Sequence, residues 1–419
     1  MSKNDLKLLV GGTIIDGKGS DPIQDRAIII ENKIIKDIVK VDSILKNIKQ
    51  DYVLFDLKGQ YIMPGFIDTH THISMSGTQT EIQNFRESIP KKTLRAAFNA
   101  RNTIEAGFTS IRDLGAEDLI DLGLRDAINE GLLVGPRMFV SGYKIMPTGA
   151  DFPMYAPEVK IEGQHVMDSP EAIKREVRTL LARGVDLIKV MTSGRTFRAT
   201  SSPDAYALSL EDTKIAVQEA HNQNKKVSAH AHGAKGIKIA LQAGCDSLEH
   251  GTILDDQDIE MMLRNDVFLV PTLSYGKHIE QLGEECYLPK YAVEKALKSR
   301  KNRLKSFSRA LKSGVKIAMG SDSGMPFVNH GENAFEIMAM VEAGMTAMQS
   351  ILSITSWAAE LIGVSDKIGD ITPGKLADIV IIDKNPLKDI SALGDKENIK
   401  AVIKEGKIEI DRGLKKKNI

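Results

Sequence analysis

Two cysteines, Cys245 and Cys286, are all the thiol chemistry in a chain of 419 residues, and they stand in no metal-ligand spacing and no disulfide framework. Charge of one sign is missing too. The 56 lysines and arginines are matched by 56 aspartates and glutamates, which leaves no electrostatic reason to expect nucleic acid or an anionic membrane as partner. No apolar run approaches the roughly 20 residues that span a bilayer. The opening MSKNDLKLLVGG has neither a long apolar stretch nor a small-residue cleavage site, so no secretory leader is expected. Solenoid repeats and low-complexity tracts are absent as well. What remains is ordinary globular composition, 42% hydrophobic and 27% charged, in a chain too long for one small core. These features predict a cytoplasmic protein with one large domain and a smaller companion. Its expected partners are a small molecule and further copies of the same chain.

Residues 1–58 read as short strands, LKLLVGGTIIDG, AIIIENKIIKDIV and DYVLFDL, rich in β-branched residues and broken by Gly, Asn and Asp turns. The same texture returns near the end, in ADIVIID (377–383) and IKAVIKEGKIEI (399–410). One small β-sandwich built from both termini, residues 1–58 plus 365–419, accounts for this better than two unrelated appendages. Between them, residues 59–364 alternate. Eight strand-like segments follow in order: YIMPGFIDTHTH (61–72), GFTSIRDLG (107–115), PRMFVSG (136–142), VDLIKVMTSG (185–194), KVSAHAHG (226–233), CDSLEHGT (245–252), VFLVPTL (267–273) and VKIAMGSDSG (315–324). Helical patterns such as PEAIKREVRTLLARG and LEDTKIAVQEAHNQNK separate most of them. Strand and helix repeated eight times predict an α/β fold of the (β/α)8 TIM-barrel kind, with an open doubly wound sheet as the alternative.

Such barrels place their sites at the C-terminal ends of the strands. Five of the nine histidines fall there: His70 and His72 on the first segment, His230 and His232 on the fifth, His250 on the sixth. Lys189 lies in the fourth segment and Asp322 ends the eighth. Alternation puts His70 and His72 on one face, where two imidazoles can grip one metal; the plainer alternative is a pair of barrel-mouth histidines with hydrogen-bond partners. Lys189 shares its face with Leu187 and Met191. A bare ammonium there would be costly and would repel a divalent metal. A carbamate on its nitrogen removes both problems, whereas the alternative is an ion pair with Asp68 or Asp322.

Together, PGFIDTHTH, the lysine of DLIKVMTSG, SAHAHG, SLEHGT, MGSDSG and the closing ITPGKLADIVIID resemble the amidohydrolase superfamily in its binuclear form, over essentially the whole chain. Within it, HGENAFEIMAMVEAGMT (330–346) is similar to the imidazolonepropionase-like and Xaa-Pro dipeptidase group. The resemblance implies a hydrolase of amide, peptide-like C–N bonds in small N-acyl amino acids or dipeptides; the same site would also suit a cyclic amide, a carbamate or an ester. It implies that His70, His72 and Asp322 bind the more buried of two divalent metals, zinc by default, and that His230 and His250 bind the second. Carboxylated Lys189 would bridge them, and Asp322 would take the proton of a metal-bridging hydroxide and pass it to the leaving amine. His232 is expected to touch substrate, with a loop-capping role as the alternative, and so is His330, with a helix-start role as the alternative. Two loops depart from the group's pattern, SGYKIMPTGADF and TSGRTFRATSSPDAY, and bring Tyr143, Arg195 and Arg198 forward as substrate contacts, the arginines as a bidentate fork for a substrate carboxylate, with solvated loop residues as the alternative for each. Arg112 and Asp113 read as a structural pair at the barrel rim, and His165, His221 and His278 as surface histidines. A catalytically inactive scaffold would be marked by a missing ligand, and none is missing.

Overall fold

A computed structural model describes residues 6–44, 51–77, 86–150, 167–195 and 202–418. The two ends of the chain are interleaved. One five-stranded sheet joins Leu6–Val10, Arg26–Glu31, Ile34–Lys40 and Val53–Asp56 to Lys416–Asn418, and the other joins Thr13–Ile14 and Tyr61–Pro64 to Ile379–Ile382, Ile399–Lys404 and Lys407–Asp411. Inward residues of both sheets, among them Leu9, Ile28, Phe55, Ile62, Ile381 and Ile403, share one apolar core. The hairpin at Glu405–Gly406 has positive φ at both loop residues, the turn whose twist suits a two-residue loop. A Cβ at Gly406 would lie 1.8 Å from the Asn32 carbonyl oxygen, so only glycine lets the two hairpins meet.

The first of the eight expected strands divides in two. Tyr61–Pro64 pairs antiparallel with Ile379–Ile382 in the terminal sheet, although residue 61 lies beyond the expected boundary at 58, and Phe66–Thr71 pairs parallel with Phe108–Asp113. Proline has no N–H with which to continue a ladder, and Gly65 changes sheets where a Cβ would sit 2.1 Å from the Thr109 hydroxyl. The parallel order then runs Phe66–Thr71, Phe108–Asp113, Arg137–Val140, and separately Lys144–Ile145, Leu187–Met191, Lys226–Ala231, Ser247–His250, Phe268–Val270. Asp186 donates its N–H to Val140 O at 2.8 Å and so connects the two series. The eighth segment forms no continuous ladder but is held on both sides. Ala318 N reaches Leu269 O at 3.0 Å, and Asp322 N reaches His70 O at 2.8 Å. Every segment is therefore joined to the next, and the last to the first.

The connecting helices begin where the sequence supplies caps. Ser169 accepts from Ala172 N ahead of Pro170–Ala182, Ser209 from Asp212 N ahead of Leu210–His221, and Asp255 forms a capping box with Asp258 ahead of Asp256–Arg264. Ile173, Val177 and Leu180 on one helical face join Ile188 and Val190 in the main core. Among the described residues no helix is long and apolar enough to cross a membrane.

Candidate metal centre and substrate cleft

The polar ends of the strands meet in one cleft, partly open to solvent. His70, His72, Lys189, His230, His232, His250 and Asp322 all line it, together with Lys144, Arg195, Tyr275 and Arg303. Two sets of donor atoms converge within 4.8 Å: His70, His250 and Asp322, and His230, His232 and His250. Asp322 Oδ1 lies 3.4 Å from His70 Nε2 and 3.3 Å from His72 Nε2. His250 Nε2 lies 2.9 Å from His230 Nδ1.

The other ring nitrogens are turned away and held. His70 Nδ1 is 2.8 Å from Glu249 Oε2 and His72 Nδ1 is 3.2 Å from Gly115 O, and both partners can only accept. Each Nδ1 therefore carries the proton, and each Nε2 presents a lone pair to Asp322. His250 Nδ1 and His232 Nδ1 bond the hydroxyls of Thr272 and Thr252, at 2.7 and 2.8 Å. His230 Nε2 is buried with no hydrogen-bond partner among the described residues. Burial holds all five imidazoles out of water, and it lowers the pKa of His70 to about 4 and takes those of His230, His232 and His250 well below the usual value. Buried neutral imidazoles with ring nitrogens about 3 Å apart, beside a carboxylate held below its normal range, suit a cation. Burial alone would raise Asp322; positive charge beside it, on His70 and His72 when they are protonated and on Lys189, lowers it. The donor set fits a metal ion.

Lys189 is buried and, among the described residues, forms no salt bridge; its nearest polar contact is the Ser228 hydroxyl at 3.5 Å. Asp68 does not pair with it. That carboxylate is taken up by Ser321 and Asn333, at 2.5 and 2.7 Å. Burial first, and then the Arg112 charge against the pull of Glu249, brings the Lys189 ammonium down to about 7.

Three readings from the sequence change. Arg112 and Asp113 do not pair. As consecutive strand residues they point apart, Arg112 to Glu249 Oε1 at 2.8 Å and Asp113 to the Ile73 N–H at 2.5 Å. Tyr143 does not line the cleft. Lys144 does, because Lys144 stands in register with Lys189 and so shares its face, while Tyr143 packs against the main apolar core. His330 lies behind the cleft, its Nε2 donating to His72 O at 3.1 Å. His221 bonds Asp246 at 2.9 Å and His278 stacks on Phe335, both away from the cleft. Arg198 and His165 lie outside the described residues.

Glu249 and Arg303 were not singled out from the sequence. Glu249 is the centre of a buried network, its Oε1 accepting from Arg112, from Ser228 at 2.8 Å and from Ser247 at 2.6 Å while Oε2 holds His70. Arg303 enters from the helix Lys290–Ser313, where it interrupts a buried face of Ala292, Ala296, Ser299, Ser306 and Phe307.

This ring of strand ends on a mixed α/β scaffold is accompanied by a match to the Amidohydrolase family over residues 61–408, and the chain belongs to that family. It is 29% identical to the ochratoxinase of Aspergillus niger over 96% of this chain and 86% of that protein. A crystal structure of a Xaa-Pro dipeptidase with bound methionine superposes with a TM-score of 0.89 at 33% identity, covering 96% of this chain and 99% of that one. A prolidase in complex with N-methylphosphonate-L-proline gives 0.88 at 26% identity, covering 97% and 100%.

Proposed function

We propose that the protein is a metal-dependent hydrolase that cleaves the amide C–N bond of small N-acyl amino acids or dipeptides. Its eight joined segments are read as a closed (β/α)8 barrel, carried beside a β-sandwich from both termini, with the site at the barrel's C-terminal mouth. The observation that carries the reading is the convergence of His70 and His72 on Asp322, with His230 and His250 facing each other in the same cleft. His70, His72 and Asp322 would hold one divalent ion and His230 and His250 a second, zinc in each case. Carboxylated Lys189 would link them: its neutral amine adds to carbon dioxide, the nitrogen loses one proton, and the carbamate formed is anionic. The peptidase names of the similar structures support an amide substrate.

Bound metal would supply Lewis acidity for the carbonyl and acidity for a water molecule. The chain's own groups do the rest. Asp322 accepts the proton of the attacking water and returns it to the leaving nitrogen. His232, fixed through Thr252 and stacked on His250 with ring centroids 4.4 Å apart, presents its Nε2 edge to the substrate. Arg195, buried and on the cleft wall, is placed to meet a polar group of the substrate.

The test is metal analysis combined with a hydrolysis panel of N-acyl amino acids, dipeptides, cyclic amides, carbamates and esters, run with the zinc-reconstituted protein. Turnover of the first two classes that vanishes on stripping and returns with metal is expected. Full metal occupancy with no amide cleaved would overturn the reading, and turnover of only cyclic amides, carbamates or esters would move the substrate class.

A further inference from the structure

Arg303 is a buried cation whose charge is answered, among the described residues, only at longer range by Asp322 and Glu336. Its side chain is 6% exposed, and no carboxylate of the described residues lies within salt-bridge distance of it. Neutral groups hold it in place. Nη1 donates to Thr272 O at 2.6 Å and to the Thr272 hydroxyl at 3.1 Å, and Nε approaches the Thr252 hydroxyl at 3.4 Å. Nη2 has only His232 Nδ1 at 3.5 Å, a nitrogen already engaged by Thr252 at 2.8 Å. One edge of the guanidinium is thus clamped, and the Nη2 edge carries two N–H groups with almost nothing to receive them. Arg303 and Tyr275 line the main cleft and also a small adjoining recess walled by Leu273 and Ala296.

A desolvated guanidinium is stabilised only when an anion meets it, and its fork of donors matches a carboxylate. Burial brings its pKa down to about 10, which leaves it charged at neutral pH. The charged cleft residues other than histidine are Lys144, Lys189, Arg195, Arg303 and Asp322, and even with Lys189 carboxylated the cations Lys144, Arg195 and Arg303 outnumber the anions among the described residues. A site of this sign attracts an anion and penalises a neutral analogue left opposite an unanswered charge.

We propose that Arg303 is the carboxylate anchor of this cleft: through its Nη2 edge it binds a free carboxylate of the substrate, and so selects acids over their carboxamides. What is bound follows from this arginine, while what is cleaved rests on the hydrolase reading above. Arg303 also steadies Thr252 and Thr272, which hold His232 and His250. A purely structural role would therefore weaken all ligands alike, whereas an anchor changes the ratio between acid and amide.

The experiment is calorimetric titration of the full chain with N-acetyl-L-leucine and with N-acetyl-L-leucinamide. It is done on metal-stripped protein, so that metal cannot be what binds the carboxylate, and KM and kcat for both are then measured on the zinc-loaded protein. The wild type is expected to favour the acid by about 10–100-fold, the scale of one charged hydrogen-bonded pair. Arg303→Met should bring that ratio close to one, and Arg303→Lys should keep part of it, the change lying in KM rather than kcat. Equal affinity of the wild type for acid and amide overturns the proposal, as does a preference that survives in both variants. If Arg303→Met does not fold, the wild-type ratio and the lysine variant still decide. Arg303-dependent acid binding without any amide hydrolysis would sink the hydrolase reading and leave the anchor standing.

Discussion

His70 Nδ1 lies 2.8 Å from Glu249 Oε2, and this contact fixes which nitrogen of His70 faces Asp322. Burial works to raise the Glu249 carboxyl, but Arg112, His70 and Lys189 hold it well below the usual carboxylate range, so it stays an acceptor. Glu249→Gln would place an amide N–H against His70 Nδ1 whenever its oxygen turns to Arg112 and the serines. His70 would then move its proton to Nε2 and lose the lone pair needed for a metal. Metal affinity should fall about 10–100-fold, the usual cost of losing such a supporting contact. Competitive metal titration of folded protein checks this, and native affinity in the glutamine variant would show that Glu249 does not set the tautomer.

Glu249→Ala tests a different property of the same residue. It leaves Arg112 buried, 2% exposed, without its carboxylate. Breaking one side of a buried pair costs about 3–5 kcal/mol, far more than the pair itself contributes. Urea denaturation should show that loss, and a change below about 1 kcal/mol would mean the cavity takes in water or an ion at little cost.

The sequence made the histidines and Asp322 legible because strand alternation turns a motif into a face. It hid Glu249 for the same reason. Consecutive strand residues should point apart, yet Glu249 and His250 both reach the site, because His250 lies at φ 73 and breaks the alternation. Asp322, at φ 62, turns the eighth segment in the same way and explains why its ladder is interrupted. Arg303 had no local signal at all, since it lies on a helix and meets Thr252 and Thr272 only in the folded chain. The exchange of Tyr143 for Lys144 turned on a register that only pairing with Lys189 supplies.

Asp322→Asn separates holding from proton transfer. An amide oxygen can still face His70 and His72, but it is a poor proton acceptor. Turnover of the zinc-loaded protein should fall by about 10²–10⁴-fold, with bound metal retained in part. Near-native kcat would show that another group moves the proton.

Lys189→Ala removes the buried lysine nitrogen that lies 3.5 Å from the Ser228 hydroxyl and lines the cleft. If a carbamate links the two metals, the alanine variant should bind less than the wild type's metal and be nearly inactive. Short carboxylic acids such as acetate or propionate should restore part of both by filling the gap. Bicarbonate-depleted wild type should likewise regain activity on adding carbon dioxide with metal. A metal-replete wild type whose mass and density show an unmodified lysine would end the bridging role.

Asp113 and Asp121, both fully buried, each have one carboxylate oxygen engaged and one without a hydrogen-bond partner among the described residues. Asp121 Oδ2 accepts from Gly142 N at 2.8 Å, and Asp113 Oδ2 from Ile73 N and the Thr71 hydroxyl. Burial raises both carboxyls, and the Asp121 charge raises Asp113 further. The folded protein therefore binds protons here that the unfolded chain has already released. Stability must then fall as pH rises from the unfolded value towards the raised folded one, a window of about pH 4 to 7, and stay lower above it. Asp121→Asn keeps an oxygen for the Gly142 N–H and needs no proton. Its stability should match the wild type near the bottom of that window and exceed it at the top. Urea denaturation of metal-stripped wild type and variant at about pH 5 and pH 8 reads the difference, which includes the release of Asp113 from the Asp121 charge. Parallel pH profiles would show that the two carboxylates are ionised in the folded state, with a cation or water answering the free oxygens.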